Sequence, residues 1–296
     1  KYDTISDDII KKKIMSRLKY LNYDNSLKIV DKQLLENIMY FSNEIKVCSL
    51  DNINIGKFSW ITYLNISHSN IKYIPSIPSL KKLNCNWCTI LKSIPLLPSL
   101  EELYCGSCRS LIELPRLLSL KKLDCNNCFI LKSIPLLPLL EELDCNCCSK
   151  VSEIPYSPLL KKLNCNCCKE IVEIPILRLL VKLNCVRCNK ITKISDLPLL
   201  KGLYCHYCYG LIEISDLPSL ELLYCINNLQ YDTPLTLSNV PSLRGVRYDG
   251  QHRISNISDY SSVIKQIVNT YISSSNIIPL EILLGVTYYN DEFTKI

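Results

Sequence analysis

The chain has 296 residues, 48% of them hydrophobic, and a formal net charge of +6 from 34 basic and 28 acidic side chains. No apolar run reaches the roughly 18 uncharged residues of a membrane span, and no block of five or six like charges suggests a nucleic-acid or membrane surface, so neither partner is expected. Its 18 cysteines come without a basic, apolar, small-residue leader at Lys1-Tyr2-Asp3-Thr4, which points to a cytoplasmic, reducing compartment with free thiols.

Residues 6 to about 21 read as an amphipathic helix, with Ser6 as N-cap, Asp7 and Asp8 in the first turn, and Ile10, Ile14, Leu18 and Leu21 on one face. A second helix is expected over about 26 to 41, where Leu27, Val30, Leu34, Ile38 and Phe41 keep three- and four-residue steps. Irregular units follow, at Ile45, Cys48, Leu50 and Ile53 and at Ile61, Leu64, Ile66, Ser69, Ile71 and Ile74.

From Leu80 the chain repeats. Cysteine recurs every 20 residues from Cys85 to Cys225, and all but the last have a second cysteine three positions later. The unit is L-x-x-L-x-C-x-x-C-x-x-L-x-x-I-P-x-x-P-x, the period and spacing of a leucine-rich repeat. Leu83 and Cys85 lie two apart and face the core, so residues 82, 84 and 86 and their equivalents line the opposite, concave face of a parallel sheet. Ile94-Pro95 and Pro98 predict an extended, polyproline-like return path. The cysteine turn carries one residue more than the turn around Ser69. A further strand is expected at Leu243, Val246 and Tyr248, then a helical pattern over Tyr260 to Ile272 and an apolar stretch at Leu280 to Leu284.

The fold expected is an α/β solenoid, a leucine-rich repeat horseshoe with a helical N-terminal cap and a mixed C-terminal cap. Its divisions are a cap over 1–44, a solenoid over 45–248 with regular repeats at about 80–225, and a cap over 249–296.

Catalysis is not expected: His68, His206 and His252 are the three histidines, and repeat geometry joins none of them to a serine and an aspartate. No cofactor is expected either. Paired Cys-x2-Cys motifs 16 residues apart also match a four-cysteine zinc site, but both thiols fall at core positions and the equivalent N-terminal residues are Ile66 and Ser69, so structural thiols are favoured and no metal ligand is assigned. Cys147 and Cys167, one residue before the turn cysteine, are the candidate reactive pair, though with no basic residue beside them an incidental surface placement is favoured over a redox role.

The concave columns read Lys82, Glu102, Lys122, Glu142, Lys162, Lys182 and Asn84, Tyr104, Asp124, Asp144, Asn164, Asn184, Tyr204, Tyr224, a charge-alternating and hydrogen-bonding surface. Toward the C-terminal end Arg187, Tyr204, His206, Tyr207, Tyr224 and Ile226 gather. Tyrosine and arginine are favoured at interface hot spots, so this group is the candidate partner-binding patch, for a protein or, as a lesser reading, a glycan.

Residues 80 to about 218 resemble the leucine-rich repeat family. The Ile94-Pro95-Leu96-Leu97-Pro98 segment is similar to the short repeats of bacterial effector proteins, and the turn cysteine to the cysteine-containing class. With alanine absent altogether, as in an AT-rich genome, the chain resembles leucine-rich repeat proteins of giant DNA viruses of amoebae, which implies binding of host or viral proteins. Ile5-Ser6-Asp7-Asp8-Ile9-Ile10 and Ile14-Met15-Ser16-Arg17-Leu18 resemble the opening of an F-box. That resemblance implies docking on a Skp-type adaptor through Ile9, Ile10, Ile14 and Leu18; a plain helical cap is the other reading of the same residues.

Overall fold

The structure is a computed structural model that describes residues 44–46, 61–225, 235–243, 245–248 and 254–255. The expected helices at 6–21, 26–41 and 260–272, the apolar stretch after Pro279, and Ile226, Ile9, Ile10, Ile14 and Leu18 lie outside the described residues. In chain order the strands are β1 (Glu44–Lys46), β2 (Tyr63–Asn65), β3 (Lys82–Asn84), β4 (Glu102–Tyr104), β5 (Lys122–Asp124), β6 (Glu142–Asp144), β7 (Lys162–Asn164), β8 (Lys182–Asn184), β9 (Lys193–Ile194), β10 (Gly202–Tyr204), β11 (Glu213–Ser215), β12 (Leu222–Cys225), β13 (Leu235–Ser238), β14 (Gly245–Tyr248) and β15 (Ile254–Ser255).

Among the described residues β1 to β8, β10, β12 and β14 form one parallel sheet, each strand pairing with the equivalent strand of the next turn. The register is the repeat itself: Leu83 pairs with Leu103, Leu103 with Leu123 and Leu123 with Leu143. Every strand from β2 to β7 has a buried centre between two half-buried neighbours, as strand alternation requires. This is a leucine-rich repeat solenoid, and the strand at β14 stands where Leu243, Val246 and Tyr248 predicted one.

Leu80, Leu83, Cys85, Cys88, Leu91 and Ile94 are all buried, as the repeat pattern predicts. A seventh core position escaped it. Leu97 is fully buried, as are Leu177, Leu197 and Leu217 at the same place. Leu97 opens the turn into the next strand, where its carbonyl accepts the Leu100 N–H at 3.1 Å. Ser157 occupies this column in one turn, fully buried, and donates its hydroxyl to the Pro155 carbonyl at 3.3 Å.

The return path changes along the chain. In the turns carrying Pro95, Pro115, Pro135, Pro155 and Pro175 it holds no strand. Beyond Pro175 the segment becomes Ile194-Ser195-Asp196 and Ile214-Ser215-Asp216, and there a second parallel sheet forms in the order β15-β13-β11-β9. Proline has no N–H to give a ladder; serine has one, and Ser215 lies within β11. The expected polyproline-like path therefore ends where its prolines do.

Candidate functional site

Two rows of opposite charges run across the N-terminal part of the concave sheet and its lower border. On the sheet Lys82 bonds Glu102 at 2.9 Å, and Glu142 lies between Lys122 and Lys162 at 3.0 Å from each. On the border Lys121 bonds Glu101 at 2.7 Å and Lys161 bonds Glu141 at 2.7 Å. Each pair is half exposed and contributes little to stability, but together the pairs cancel the local field. Partial burial opposes ionisation of Glu102, yet Lys82 and the Tyr104 hydroxyl hold its carboxyl below the ordinary value. Tyr104 donates to Glu102 at 2.8 Å with the Lys82 and Lys122 ammoniums 5.2 and 5.8 Å from its ring centre; burial and then the Glu102 carboxylate push its hydroxyl up.

The Asn and Asp column is less available than its composition suggests. The side-chain oxygen of residue 84 or its equivalent accepts the backbone N–H two residues on: Asn86 to Asn84 at 3.1 Å, Asn126 to Asp124 at 3.2 Å, Asn146 to Asp144 at 3.0 Å. These Asx turns bend the chain out of β2, β3, β5, β6 and β7, so much of the predicted hydrogen-bonding surface is spent on the turn. In the Asn184 turn the Val186 N–H donates instead to Asn166 Oδ1 of the preceding turn, at 2.9 Å. The donor that Asn184 would ordinarily take is thereby engaged, and Asn184 Oδ1 is left buried without a partner.

The following turn is held in the left-handed region by residues that are rarely glycine. His68, Trp87, Ser107, Asn127, Cys147, Cys167, Arg187 and Tyr207 all have φ between 56° and 63°. The conformation costs a non-glycine residue roughly 1–2 kcal/mol. It is offset by a bond across each turn from His68 to Arg187, among them Trp87 N–H to the Gly106 carbonyl at 2.8 Å, Cys147 N–H to the Asn166 carbonyl at 2.7 Å and Arg187 N–H to the His206 carbonyl at 2.8 Å.

At the C-terminal end the surface changes character. Gly202 and Leu222 replace the alternating charges of the Lys82 column, and Leu222 is 43% exposed. Beside them the Tyr204 and Tyr224 rings stack, centroids 4.6 Å apart and planes 7° from parallel, and His206 meets Tyr224 edge-on at 6.1 Å. Room above Gly202 receives Tyr204, whose ring edge lies 3.7 Å from where a Cβ would stand. The Arg187 guanidinium covers the Tyr207 ring at 5.5 Å. The structure thus brings together five of the six predicted patch residues; Leu222 and Gly202 were missed, because only their column, read against the lysines and glutamates before them, marks the change.

The thiols of the repeat pattern are structural. Each turn cysteine donates its S–H to the carbonyl of the first cysteine one turn back, from Cys108 to Cys85 at 3.1 Å through Cys208 to Cys185 at 2.9 Å. All these sulfurs are buried, and the described cysteines are free. The thiol of Cys85 is held well above its ordinary value by its hydrogen bond with Cys108 and by burial. Among the described residues no group of three or more His, Cys, Asp or Glu side chains is arranged to hold a metal ion. Cys147 and Cys167 do sit on adjacent turns and half exposed. Burial first, and then the neighbouring Cys167, push the Cys147 thiol up to about 11. A raised thiol pKa disfavours the reactive thiolate, in keeping with an incidental surface placement of the pair.

No protein-family profile matches the chain, and no curated protein matches it. Among solved structures it is similar to YopM from Yersinia enterocolitica WA-314, at 25% identity and a TM-score of 0.43 over 69% of this chain and 51% of that one. It is similar also to the Leptospira interrogans leucine-rich repeat protein LIC12759, at 14% identity and a TM-score of 0.36, over 83% of this chain and 91% of that one. The functional domain of InlJ from Listeria monocytogenes, which includes a cysteine ladder, matches at 15% identity and a TM-score of 0.33 over 77% of this chain and 62% of that one. The chain spans about half the length of the YopM chain it matches.

Proposed function

We propose that this chain is a non-enzymatic protein-binding scaffold, and that its partner docks on the C-terminal part of the concave face. The observation that carries this reading is the stacked Tyr204–Tyr224 pair with His206 and the Arg187–Tyr207 contact beside it. It lies where the self-neutralised charge rows give way to Gly202 and Leu222. Rigid aromatic side chains supply contact area at low entropic cost and dominate interface energetics. The partner is a host or viral protein in the cytoplasm of an infected amoeba. A reducing compartment suits a core in which turn thiols must keep their protons to bond carbonyls.

The test is affinity capture from amoebal lysate with the full chain, a Tyr204→Ala/Tyr224→Ala variant and a Tyr73→Ala control. A partner kept by the control and lost with the double variant supports the concave reading; retention by the double variant overturns it. The ligase-adaptor reading rests on the sequence resemblance at Ile9, Ile10, Ile14 and Leu18. It requires a Skp-type adaptor and cullin to be captured by the full chain and not by a chain lacking residues 1–22.

A further inference from the structure

The concave face is divided in charge as well as in chemistry. Over residues 81–87, 101–107, 121–127 and 141–147 four lysines meet four glutamates, and Asp124 and Asp144 add two further carboxylates. Over the next four turns, 161–167, 181–187, 201–207 and 221–225, Lys161, Lys162, Lys182, Arg187 and Lys201 face a single acid, Glu221. The balance passes from an excess of two negative charges to an excess of four positive ones between Asp144 and Lys161. Lys161 and Lys162 reach back across that boundary to Glu141 and Glu142, and Lys201 pairs with Glu221 at 3.3 Å. Arg187 stands apart from these pairs. It is exposed, and its guanidinium covers the Tyr207 ring at 5.5 Å.

Stacking on a ring uses a face of the guanidinium and none of its N–H groups. Among the described residues no side-chain hydrogen bond or ion pair engages them. The acids of this face stand two turns to either side, about 10 Å along the solenoid, and each is already held: Glu142 by Lys122 and Lys162, Asp144 by the Asn146 N–H and Asn164, Glu221 by Lys201. A planar fork of donors held over a ring is the form in which arginine takes a carboxylate with two parallel bonds. The stacked Tyr204–Tyr224 pair and exposed Leu222 lie one and two turns on, so an extended chain of about three to four residues reaches from the fork to the rings. We propose that the partner of this patch presents an acidic, extended protein segment, with a carboxylate in the fork of Arg187 and a large apolar side chain against Tyr204, Tyr224 and Leu222. This rests on the placement of the partner on the C-terminal concave face. A nucleic acid would meet the same arginine and tyrosines, but a polyanion lying along the face would run onto the carboxylate excess that begins at Asp144.

Selection of random peptides displayed on phage against the full chain, in reducing buffer at about 0.1 M salt, tests this. The enriched peptides are expected to carry an excess of aspartate and glutamate together with an aromatic or leucine side chain. Measured with the synthetic peptides, the dissociation constant should rise at least about tenfold in Arg187→Glu and several-fold when salt is raised to about 0.5 M. It should be unchanged in Arg109→Glu, which makes the same change of charge at an exposed site past the turn cysteine. Urea unfolding verifies that each variant is folded. Enriched peptides without an acidic excess that are lost in Tyr204→Ala/Tyr224→Ala overturn the acidic partner and leave the aromatic patch standing; peptides kept by that double variant overturn both. Acidic peptides that bind Arg187→Glu undiminished overturn the inference, as does a selection that enriches nothing. So does a single-stranded oligothymidylate that binds the full chain more tightly than the best acidic peptide.

Discussion

Two stretches of the solenoid are built on the same seven core positions and differ on both surfaces. From Leu80 to Pro175 the concave face is a lattice of paired charges and Asx turns, and the return path has no strand. From Lys193 to Ser238 the concave face turns aromatic and the return path becomes a second parallel sheet. The core does not distinguish them: Leu143 and Leu203 are equally inaccessible in practice, at 2% and 0% exposed. A periodic core therefore specifies the stacking, while single columns on the outside decide what each stretch presents. One proline column decides the return sheet, and one charge column decides where aromatic side chains lie open.

The largest effect expected is one that leaves the two stretches alike. Leu143→Ala and Leu203→Ala should each cost about 2–5 kcal/mol, because a cavity in a stacked core cannot easily collapse. In urea the loss should stay near the altered turn, since each repeat touches only its neighbours. Hydrogen exchange will locate it, and a uniform loss of protection over the whole chain would show that the stretches fold as one unit.

Next in size is the proline column. Ser215→Pro removes the N–H of a residue within β11, which pairs on both sides with β9 and β13. It should cost about 2 kcal/mol or more and release exchange protection in the return sheet while leaving β10 and β12 protected. The converse, Pro175→Ser, should add protection at residues 173–175 with a stability change of under about 1 kcal/mol. If Ser215→Pro leaves the return sheet protected, something other than the missing donor separates the two stretches.

A turn thiol gives a smaller effect. Cys128→Ala deletes the S–H bond to the Cys105 carbonyl at 3.1 Å in a buried site, and should cost about 1–3 kcal/mol by leaving that acceptor unpaired. Cys128→Ser should recover part of it, since Ser69 already fills the equivalent place, buried beside Cys88 Sγ at 3.4 Å. The readout is the urea midpoint of each variant against the unaltered chain.

What the sequence made legible follows from what repetition can carry. A column occupied by one residue type in every turn, such as Leu83 or Cys85, is visible without coordinates, and so is its inward direction from the spacing of two. Leu97 was invisible because Ser157 breaks its column and the flanking prolines suggested only an extended return path. The second sheet was invisible because its cause is a substitution in two turns, Ser195 and Ser215, against six prolines from Pro75 to Pro175. That Tyr204 meets Tyr224 was legible, since stacking at one strand spacing fixes which tyrosines meet. The Asx turns were misread as free surface because the acceptor role of Asn84 or Asp144 depends on a backbone N–H that no residue type announces.

Asp144 gives the finest test of how much the charge lattice matters. Its carboxylate is mostly buried, accepts the Asn146 N–H at 3.0 Å and Asn164 Nδ2 at 3.0 Å, and stands in register with Asp124. Burial raises its pKa, and the Asp124 charge adds to this against the two hydrogen bonds. A carboxyl whose folded value is raised binds its proton more tightly in the native chain, so its contribution to stability falls as pH rises from its unfolded value, about 4, through its folded value. Glu102 and Glu142 act with the opposite sign. Held below their ordinary values by the lysines, they stabilise above about pH 4.3 and lose that contribution as pH falls through their folded values. Asp144→Asn removes the first term and keeps the second. It should therefore raise stability at pH 7 by less than about 1 kcal/mol, an advantage that shrinks as pH falls toward 4, where a protonated Asp144 resembles the amide. Urea unfolding at pH 7, 5.5 and 4 will read that convergence, and an advantage independent of pH would mean that the substitution acts through packing or hydrogen bonding and not through the charge of Asp144.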